Sequence, residues 1–127
     1  MPPPTILCID DEPNSLTVRC QMLERAGYRV IVAESPGEGV FLFCSENVDL
    51  VVLDYWMADM NGLAVASKLR KIKPNVAILM LSGFREISGE GLGLVNQWIL
   101  KGESSPADLL NTVSELVAQP EGGNPAT

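Results

Sequence analysis

The stretch Thr5-Ile6-Leu7-Cys8-Ile9-Asp10-Asp11-Glu12 begins as an uncharged, largely apolar run and ends abruptly in three acids. A short, continuous apolar run is typical of a β-strand that is buried on both faces. Three later runs show the same pattern of an apolar strand followed by a polar residue: 49–53 before Asp54, 76–81 before Ser82, and 97–100 before Lys101. We therefore predict four strands that each deliver a polar side chain at their carboxyl end.

Helical signals and one further strand lie between these runs. Leu16, Cys20 and Leu23 recur at helical spacing, and Gly27 is placed to end that helix. Tyr28–Ala33 predicts another strand. Capping residues mark the starts of three more helices: Ser35 with Pro36 and Glu38, Asn61 for a helix through about Lys73, and Ser105 with Pro106 for a helix through about Ala118.

The alternation of strands and helices predicts βαβ units with right-handed crossovers. The expected fold class is α/β, a doubly wound five-stranded parallel sheet with helices on both faces. With 127 residues the chain has the size of one domain. We expect this domain to occupy residues 1–119, and the tail at 120–127 to be disordered because it has nothing to bury.

The composition excludes several classes of function. The chain contains no histidine, which removes Ser-His-Asp and Cys-His catalysis and every histidine-ligated zinc or haem site. Its three cysteines, Cys8, Cys20 and Cys44, form no CxxC pair and no closed disulfide framework. We expect them to be buried thiols in a reducing cytosol.

The charge and the hydropathy pattern bear on partners and location. The net charge of −7 opposes a sequence-independent hold on nucleic-acid phosphates and on anionic membranes. The N-terminus has no basic leader segment, and the longest apolar runs are far shorter than the ~18 residues of a membrane span. We expect a soluble, cytoplasmic protein that binds neither nucleic acid nor membrane directly.

The polar residues at the strand ends suggest a binding site. In an open parallel sheet, ligands bind outside the carboxyl ends of the strands. Three acids, Asp10, Asp11 and Asp54, would meet there, and close carboxylates stay ionised together only beside a cation. A hard dication, most simply Mg²⁺, suits oxygen ligands of this kind and would balance the three acids together with Lys101.

Such a site has the equipment to receive a phosphoryl group. Asp54 could attack phosphorus to give an aspartyl phosphate, Mg²⁺ and Lys101 could neutralise its oxygens, and Ser82 could hydrogen-bond to it. Taken singly, each residue is better explained as a solvated turn residue than as a functional one, and Asp10 and Asp11 could merely be a helix N-cap pair. The joint occurrence of five polar residues after four apolar strands favours a site.

At this point the sequence resembles the receiver domain of bacterial two-component response regulators, in its stand-alone form. The resemblance covers residues 5–119, and its motifs are Ile6-Leu7-Cys8-Ile9-Asp10-Asp11-Glu12, the segment from Asp49 to Gly62 (DLVVLDYWMADMNG), Leu81-Ser82-Gly83 and Trp98-Ile99-Leu100-Lys101. It implies a flavodoxin-like (βα)₅ fold. It also implies a phosphoacceptor signalling module in a phosphorelay, with output by protein-protein contact and no enzymatic activity of its own.

The resemblance also implies roles for individual residues. Asp54 would be the phosphoacceptor, Ser82 the switch hydroxyl, Lys101 the phosphate-binding lysine and Trp98 the switch aromatic. The ligands of Mg²⁺ would be Asp11 directly, Asp10 through water, Asp54, and the backbone carbonyl of Trp56. The implied partners are a sensor histidine kinase or phosphotransfer protein and a downstream protein, and the implied oligomeric state is a monomer or weak dimer.

Several positions depart from the family pattern. Met57-Ala58 replaces the usual Met-Pro, which we expect to loosen the loop over the site. Lys101-Gly102 replaces Lys-Pro, so we expect a trans peptide there and a shift of Lys101. Gly83 replaces the usual alanine. The fourth-helix region between Ser82 and Trp98 carries Gly83, Gly89, Gly91 and Gly93, which predicts a short or irregular helix.

The aromatic residues near the site leave alternatives open. Trp56 and Phe84 each follow a site residue by two positions, and we hypothesise that they hinder the water that would remove the phosphoryl group. Trp56 is equally well explained as an exposed loop residue or as an anchor for a partner. For Trp98 the alternative is plain strand packing, which is the commoner case for a tryptophan in a buried run.

Two alternative functions remain at the level of the sequence. The first is a phosphorylation-independent pseudo-receiver, a binding module that keeps the acids and has lost the phosphate chemistry. The second is a Mg²⁺-dependent phosphatase with an aspartate nucleophile. Such enzymes carry a DxD pair after the first strand, whereas this chain has Asp10-Asp11-Glu12 there, which makes the phosphatase the weaker alternative.

Overall fold

The computed structural model describes residues 2–58, 60–83, 93–102 and 105–118. Its strands and helices, in chain order, are β1 (Thr5–Ile9), α1 (Pro13–Arg25), β2 (Arg29–Ala33), α2 (Pro36–Ser45), β3 (Leu50–Asp54), α3 (Gly62–Ile72), β4 (Ala77–Ser82), β5 (Gln97–Leu100) and α4 (Pro106–Val117). Each strand falls within two residues of its sequence prediction, and so do the end of α1, the start of α2 and both ends of α3 and α4 for which bounds were predicted. The expected fourth-helix region lies mostly on residues 84–92 and the expected tail on 120–127, both outside the described residues.

The strands form one five-stranded sheet in the order β2-β1-β3-β4-β5, and all neighbouring pairs are parallel. The central strands β1, β3 and β4 are almost wholly buried because helices cover both faces. This confirms the predicted α/β fold with a doubly wound sheet. The strand order reverses direction at β1, so the crevice beside β1 and β3 is where such sheets bind ligands.

Two layers of core residues lie on opposite faces of the sheet. Alternate residues of β1, such as Leu7 and Ile9, pack with α2 and α3 on one face. Their neighbours Ile6 and Cys8 pack with α1 and α4 on the other face. Because side chains along a strand point alternately to the two faces, a strand with helices on both sides must be apolar throughout. This is the physical reason for the continuous apolar runs in the sequence.

Capping residues set the starts of the helices. The side chains of Ser35, Asn61 and Ser105 each accept a hydrogen bond from the backbone amide three residues later, as predicted. The cap of α1 is Glu12, whose side chain accepts from the Asn14 amide at 3.1 Å. The alternative in which Asp10 and Asp11 cap that helix is therefore wrong, which leaves both carboxylates available to the site.

The cysteines differ from the sequence expectation in their burial. Only Cys8 is buried, Cys20 is half-buried and Cys44 is exposed. Cys8 lies on β1 between helix-covered faces, whereas Cys44 lies on α2 on the side that faces solvent. The expectation of three buried thiols is therefore wrong for Cys44, because the helix presents that position away from the sheet.

None of the described helices is long and apolar enough to cross a bilayer.

Candidate functional site

The carboxyl ends of β1 and β3 bring Asp10 and Asp54 together at one edge of the sheet. Ile9 pairs with Leu53 in the register of these strands, so the residue after each of them lies at the same level. Asp10 is 1% exposed and Asp54 is 3% exposed. One carboxylate oxygen from each of Asp10, Asp11 and Asp54 lies within 4.8 Å of the others. The predicted cluster of acids is therefore formed by the fold.

Asp10 has a partner that the sequence analysis missed. Its Oδ2 accepts a hydrogen bond from Nη1 of Arg19 at 3.3 Å, and its Oδ1 accepts from the Glu12 amide at 3.0 Å. Arg19 is only 8% exposed. A signal was present in the sequence, because Arg19 is three residues after Leu16 and four before Leu23 and so shares their buried face. A buried arginine requires an anionic partner, and Asp10 is that partner.

Asp11 is exposed and is held by the loop that follows β3. Its Oδ2 accepts a hydrogen bond from the backbone amide of Ala58 at 2.8 Å. Proline, the residue that the family pattern places at this position, has no amide hydrogen and could not make this bond. The Met57-Ala58 sequence therefore ties the loop to the site by a hydrogen bond, in contrast to the expected loosening.

Lys101 reaches the buried acid from the end of β5. Its Nζ forms an ion pair with Oδ1 of Asp54, and its backbone amide donates to the Ser82 carbonyl at 2.7 Å. Burial raises the pKa of Asp54, and the hydrogen bond from Lys101 opposes that rise by favouring the ionised form. Gly102 has a φ of +84°, and no peptide bond among the described residues is cis, as expected for Lys101-Gly102.

Ser82 and the aromatic residues occupy positions around these groups. Ser82 ends β4 and is 5% exposed, one residue beyond the register partner of Asp54. The Trp98 ring on β5 is half-buried with its centroid 6.1 Å from that of Tyr55. Trp56 is 57% exposed, and its ring meets Tyr55 edge to face at 5.4 Å. Phe84 lies outside the described residues.

Gly62, the first residue of α3, lies against the backbone of the site. A β-carbon at this position would lie 2.7 Å from the carbonyl oxygen of Asp54 and 2.6 Å from the sulfur of Met80. The Gly62 amide also donates to the Tyr55 carbonyl at 2.7 Å. The motif that ends in Asn61-Gly62 therefore has a steric reason, because only glycine lets α3 approach the end of β3 so closely.

The donor set fits a hard dication. Mg²⁺ binds oxygen ligands at about 2.1 Å, so oxygens on opposite sides of the ion lie about 4.2 Å apart, and it commonly keeps several waters. The three carboxylate oxygens of the cluster lie within 4.8 Å of one another, which matches the spacing of oxygens around Mg²⁺ when one carboxylate binds the ion through water. Asp10, Asp11 and Asp54 are therefore able to hold Mg²⁺.

Comparison with protein families identifies the same region. The family model described as "Response regulator receiver domain" matches residues 6–102. The transcriptional regulatory protein GlrR of Escherichia coli (strain K12) is 29% identical over 106 residues, which cover 84% of this chain and 24% of GlrR. The chain thus spans about a quarter of the length of this curated relative.

Solved structures agree with the sequence comparison. A response regulator receiver domain protein from Methanospirillum hungatei JF-1 superposes with a TM-score of 0.85 at 30% identity, covering 91% of this chain and 94% of that one. Response regulator TrrA from Thermotoga maritima, in complex with Mg²⁺ and BeF, gives a TM-score of 0.82 at 30% identity, covering 89% and 98%. A further structure holds TrrA in complex with the histidine kinase ThkA, with a TM-score of 0.82.

Proposed function

This chain belongs to the response regulator receiver domain family of two-component systems, and from that premise we propose that it accepts a phosphoryl group on Asp54 with the help of Mg²⁺. The observation that supports this most directly is one buried carboxylate, Asp54, that faces two further acids and the ammonium of Lys101. No comparable group of acids, with or without cysteine, occurs elsewhere among the described residues.

The transfer step uses Asp54 as the nucleophile. A carboxylate oxygen of Asp54 forms a bond to phosphorus while the bond from phosphorus to the donor breaks, and the donor keeps the electron pair and takes up a proton. Lys101, which pairs with Asp54 beforehand, moves its ammonium to the new phosphoryl oxygens. Asp10, Asp11 and Asp54 would hold Mg²⁺, which when bound would supply positive charge to neutralise the transferred group.

The response to phosphorylation would run through Ser82 and Trp98. Ser82 lies at the end of β4 on the same edge as Asp54 and would hydrogen-bond to the phosphoryl group. Trp98 lies on the neighbouring strand β5 and would turn inward as Ser82 moves. The surface around β5 and α4 would then change, which is a two-state equilibrium biased by a local change of charge.

Partners follow from the same premise. TrrA binds a histidine kinase, and by analogy the phosphodonor of this chain is a sensor histidine kinase or a phosphotransfer protein. Output would be contact with a downstream protein, made by a cytoplasmic monomer or weak dimer. Residues 1–119 would form the receiver and 120–127 its tail.

The test is intact mass spectrometry after incubation with Mg²⁺ and acetyl phosphate. We expect the wild type to gain one phosphoryl group, and Asp54→Asn or the wild type in EDTA to gain none. Asp49→Asn is a matched control, because Asp49 precedes the same strand at its opposite end and asparagine still accepts from the Thr5 amide. No gain in the wild type would overturn the phosphoacceptor proposal and favour the pseudo-receiver.

The exposed ring of Trp56 allows a prediction about the lifetime of the phosphoryl group. Trp56 follows Asp54 by two residues in the sequence, and its ring is 57% exposed. We expect Trp56→Ala to lose the phosphoryl group several-fold faster than the wild type, measured as decay of the phosphorylated mass. Phe41→Ala is the control, because Phe41 is an exposed aromatic of α2. An unchanged decay rate would favour the loop or partner-anchor interpretation.

A further inference from the structure

Arg19 is a second cation in the acidic site, in addition to Lys101. Its guanidinium donates to Asp10 at 3.3 Å, and the side chains of the pair are only 10% and 2% exposed. Arg19 comes from α1, whereas Lys101 comes from the end of β5 and pairs with Asp54. The two cations therefore enter from different directions, and each is bound to a different acid.

The local charge depends on both cations. Three carboxylates against Arg19 and Lys101 leave a net charge of about −1, whereas Lys101 alone would leave about −2. A net charge of −2 would be neutralised by Mg²⁺ before any phosphoryl group arrives. Converting the Asp54 carboxylate to an aspartyl phosphate adds about one further negative charge. With Arg19 present, neutrality is therefore reached only when metal and phosphoryl group are both bound.

From this balance we propose that Arg19 is a positioning residue that holds Asp10 and, by its charge, weakens Mg²⁺ binding to the unphosphorylated site while strengthening binding of the phosphoryl group. The proposal rests on the proposed function, because it assumes that Mg²⁺ and the phosphoryl group share this site. The charge of Arg19 also reaches Asp54: burial raises the pKa of that carboxyl, and Arg19 is among the groups that lower it.

The low exposure of the pair makes the charge effective. Solvent screens a surface ion pair almost completely, whereas charges in a poorly solvated site interact over several ångströms. Asp10 and Arg19 are both among the buried residues of the molecule. Arg25, on the last turn of the same helix, is exposed and provides a matched arginine whose charge is screened.

The experiment compares Arg19→Gln, Arg19→Lys and Arg25→Gln. Glutamine at position 19 is polar but carries no charge, and lysine keeps the charge without the planar group. Calorimetric titration gives the Kd of Mg²⁺, and a second titration at saturating Mg²⁺ gives the Kd of beryllofluoride, an anionic phosphoryl mimic. Circular dichroism verifies that each variant is folded.

Opposite changes in the two affinities are the expected result. Arg19→Gln should bind Mg²⁺ about tenfold more tightly and beryllofluoride about tenfold more weakly than the wild type. Arg19→Lys and Arg25→Gln should stay within about threefold of the wild type for both ligands. A purely structural role would weaken both ligands together, and that outcome overturns the proposal, as does an Arg19→Lys variant that behaves like Arg19→Gln.

The remaining outcomes are also decisive. If the wild type and Arg19→Gln bind Mg²⁺ equally, this inference fails and the proposed function stands. If neither the wild type nor Arg19→Gln binds Mg²⁺, this inference and the proposed function both fail. If Arg19→Gln is unfolded without metal, the proposal expects Mg²⁺ to refold it at concentrations that barely raise the Tm of the wild type. Failure to refold would overturn it.

Discussion

At the scale of single residues, the backbone just after Lys101 adopts a conformation that only glycine takes up without strain. Gly102 has a φ of +84°, in the left-handed region, and this turn carries the chain away from β5 just after Lys101. Proline, which the family pattern places here, is restricted to a φ near about −65°. The change from Lys-Pro to Lys-Gly therefore accompanies a different turn.

Replacement of Gly102 tests this requirement. We expect Gly102→Ala to lower the free energy of unfolding by about 1 kcal/mol, because a β-carbon is strained at that φ. Gly37→Ala is the control, because Gly37 lies in the first turn of α2 with no atom within 4 Å of an added β-carbon. That control should be neutral or stabilising by up to about 1 kcal/mol, both measured by urea unfolding. Equal effects at the two positions would contradict the interpretation.

The three cysteine thiols differ in burial, and therefore in reactivity. Cys8 is wholly buried, and burial raises its pKa to about 12, so it stays protonated and unreactive at neutral and mildly alkaline pH. We expect native labelling with iodoacetamide to modify Cys44 first, Cys20 more slowly and Cys8 only after unfolding, as read by peptide mass spectrometry. Labelling of Cys8 at a rate comparable to Cys44 in the folded protein would contradict the burial.

At the scale of elements, the start of α3 determines how closely that helix approaches the end of β3. Gly62 lies against a backbone carbonyl, which cannot turn aside, whereas Gly39 of α2 lies against side-chain atoms of Ile9 only. A contact with backbone forces the whole helix to move. The two buried helix glycines therefore form a matched pair.

A substitution at each of these glycines separates the two kinds of contact. We expect Gly62→Ala to cost about 1 to 3 kcal/mol of unfolding free energy and to slow phosphorylation of Asp54, because the Asp54 carbonyl must shift. Gly39→Ala should cost less and leave the phosphorylation rate close to that of the wild type. Urea unfolding and mass spectrometry with acetyl phosphate measure the two effects. A Gly62→Ala variant that phosphorylates normally would show that α3 adjusts without moving the site.

The helix starts show why sequence prediction worked well for the elements. Ser35, Asn61 and Ser105 act through hydrogen bonds to amides only three residues away, so local chemistry is sufficient to predict them. Glu38 departs from the predicted capping box, in which its carboxylate would accept a hydrogen bond from the amide of the N-cap residue Ser35. Instead it accepts from the amide of the preceding residue, Glu34, at 2.8 Å. The hydrogen-bond partner of a longer side chain depends on the groups around it in the folded protein, and a local sequence pattern gives no information about those groups.

At the scale of the whole molecule, burial of a charge at the edge of the sheet links folding to pH. The folded-state pKa of Asp54 is raised above its ordinary value of 3.8, chiefly by burial. Folding therefore favours the protonated form of this carboxyl. The stability that this contributes is complete below the unfolded pKa and is lost as the pH rises through the folded pKa.

Removing that charge tests the linkage. In EDTA at pH 7 we expect Asp54→Asn to be more stable than the wild type, with a difference that shrinks as the pH falls toward the unfolded pKa. Thermal unfolding from pH 4 to pH 8 measures this difference. Asp49→Asn, at an exposed position, is the control for replacing a carboxyl group by an amide. A wild type that is the more stable of the two at pH 7 would show that the ion pair with Lys101 outweighs burial.

The amino-acid sequence by itself determined the strands, the starts of α2, α3 and α4, and the edge at which Asp10, Asp11, Asp54, Ser82 and Lys101 meet. Apolar runs must be covered on both faces, and parallel strands place their carboxyl ends together, so these conclusions need only local patterns and topology.

Only the tertiary structure decided which groups hold the acids. Arg19 reaches Asp10 across nine residues, and the Ala58 amide reaches Asp11 across 47 residues. Helical spacing shows that Arg19 faces inward, but its partner depends on how deeply α1 packs against the sheet. Side-chain partners are selected by the burial that folding imposes, because a charge taken out of water binds the nearest opposite charge that the assembled chain provides.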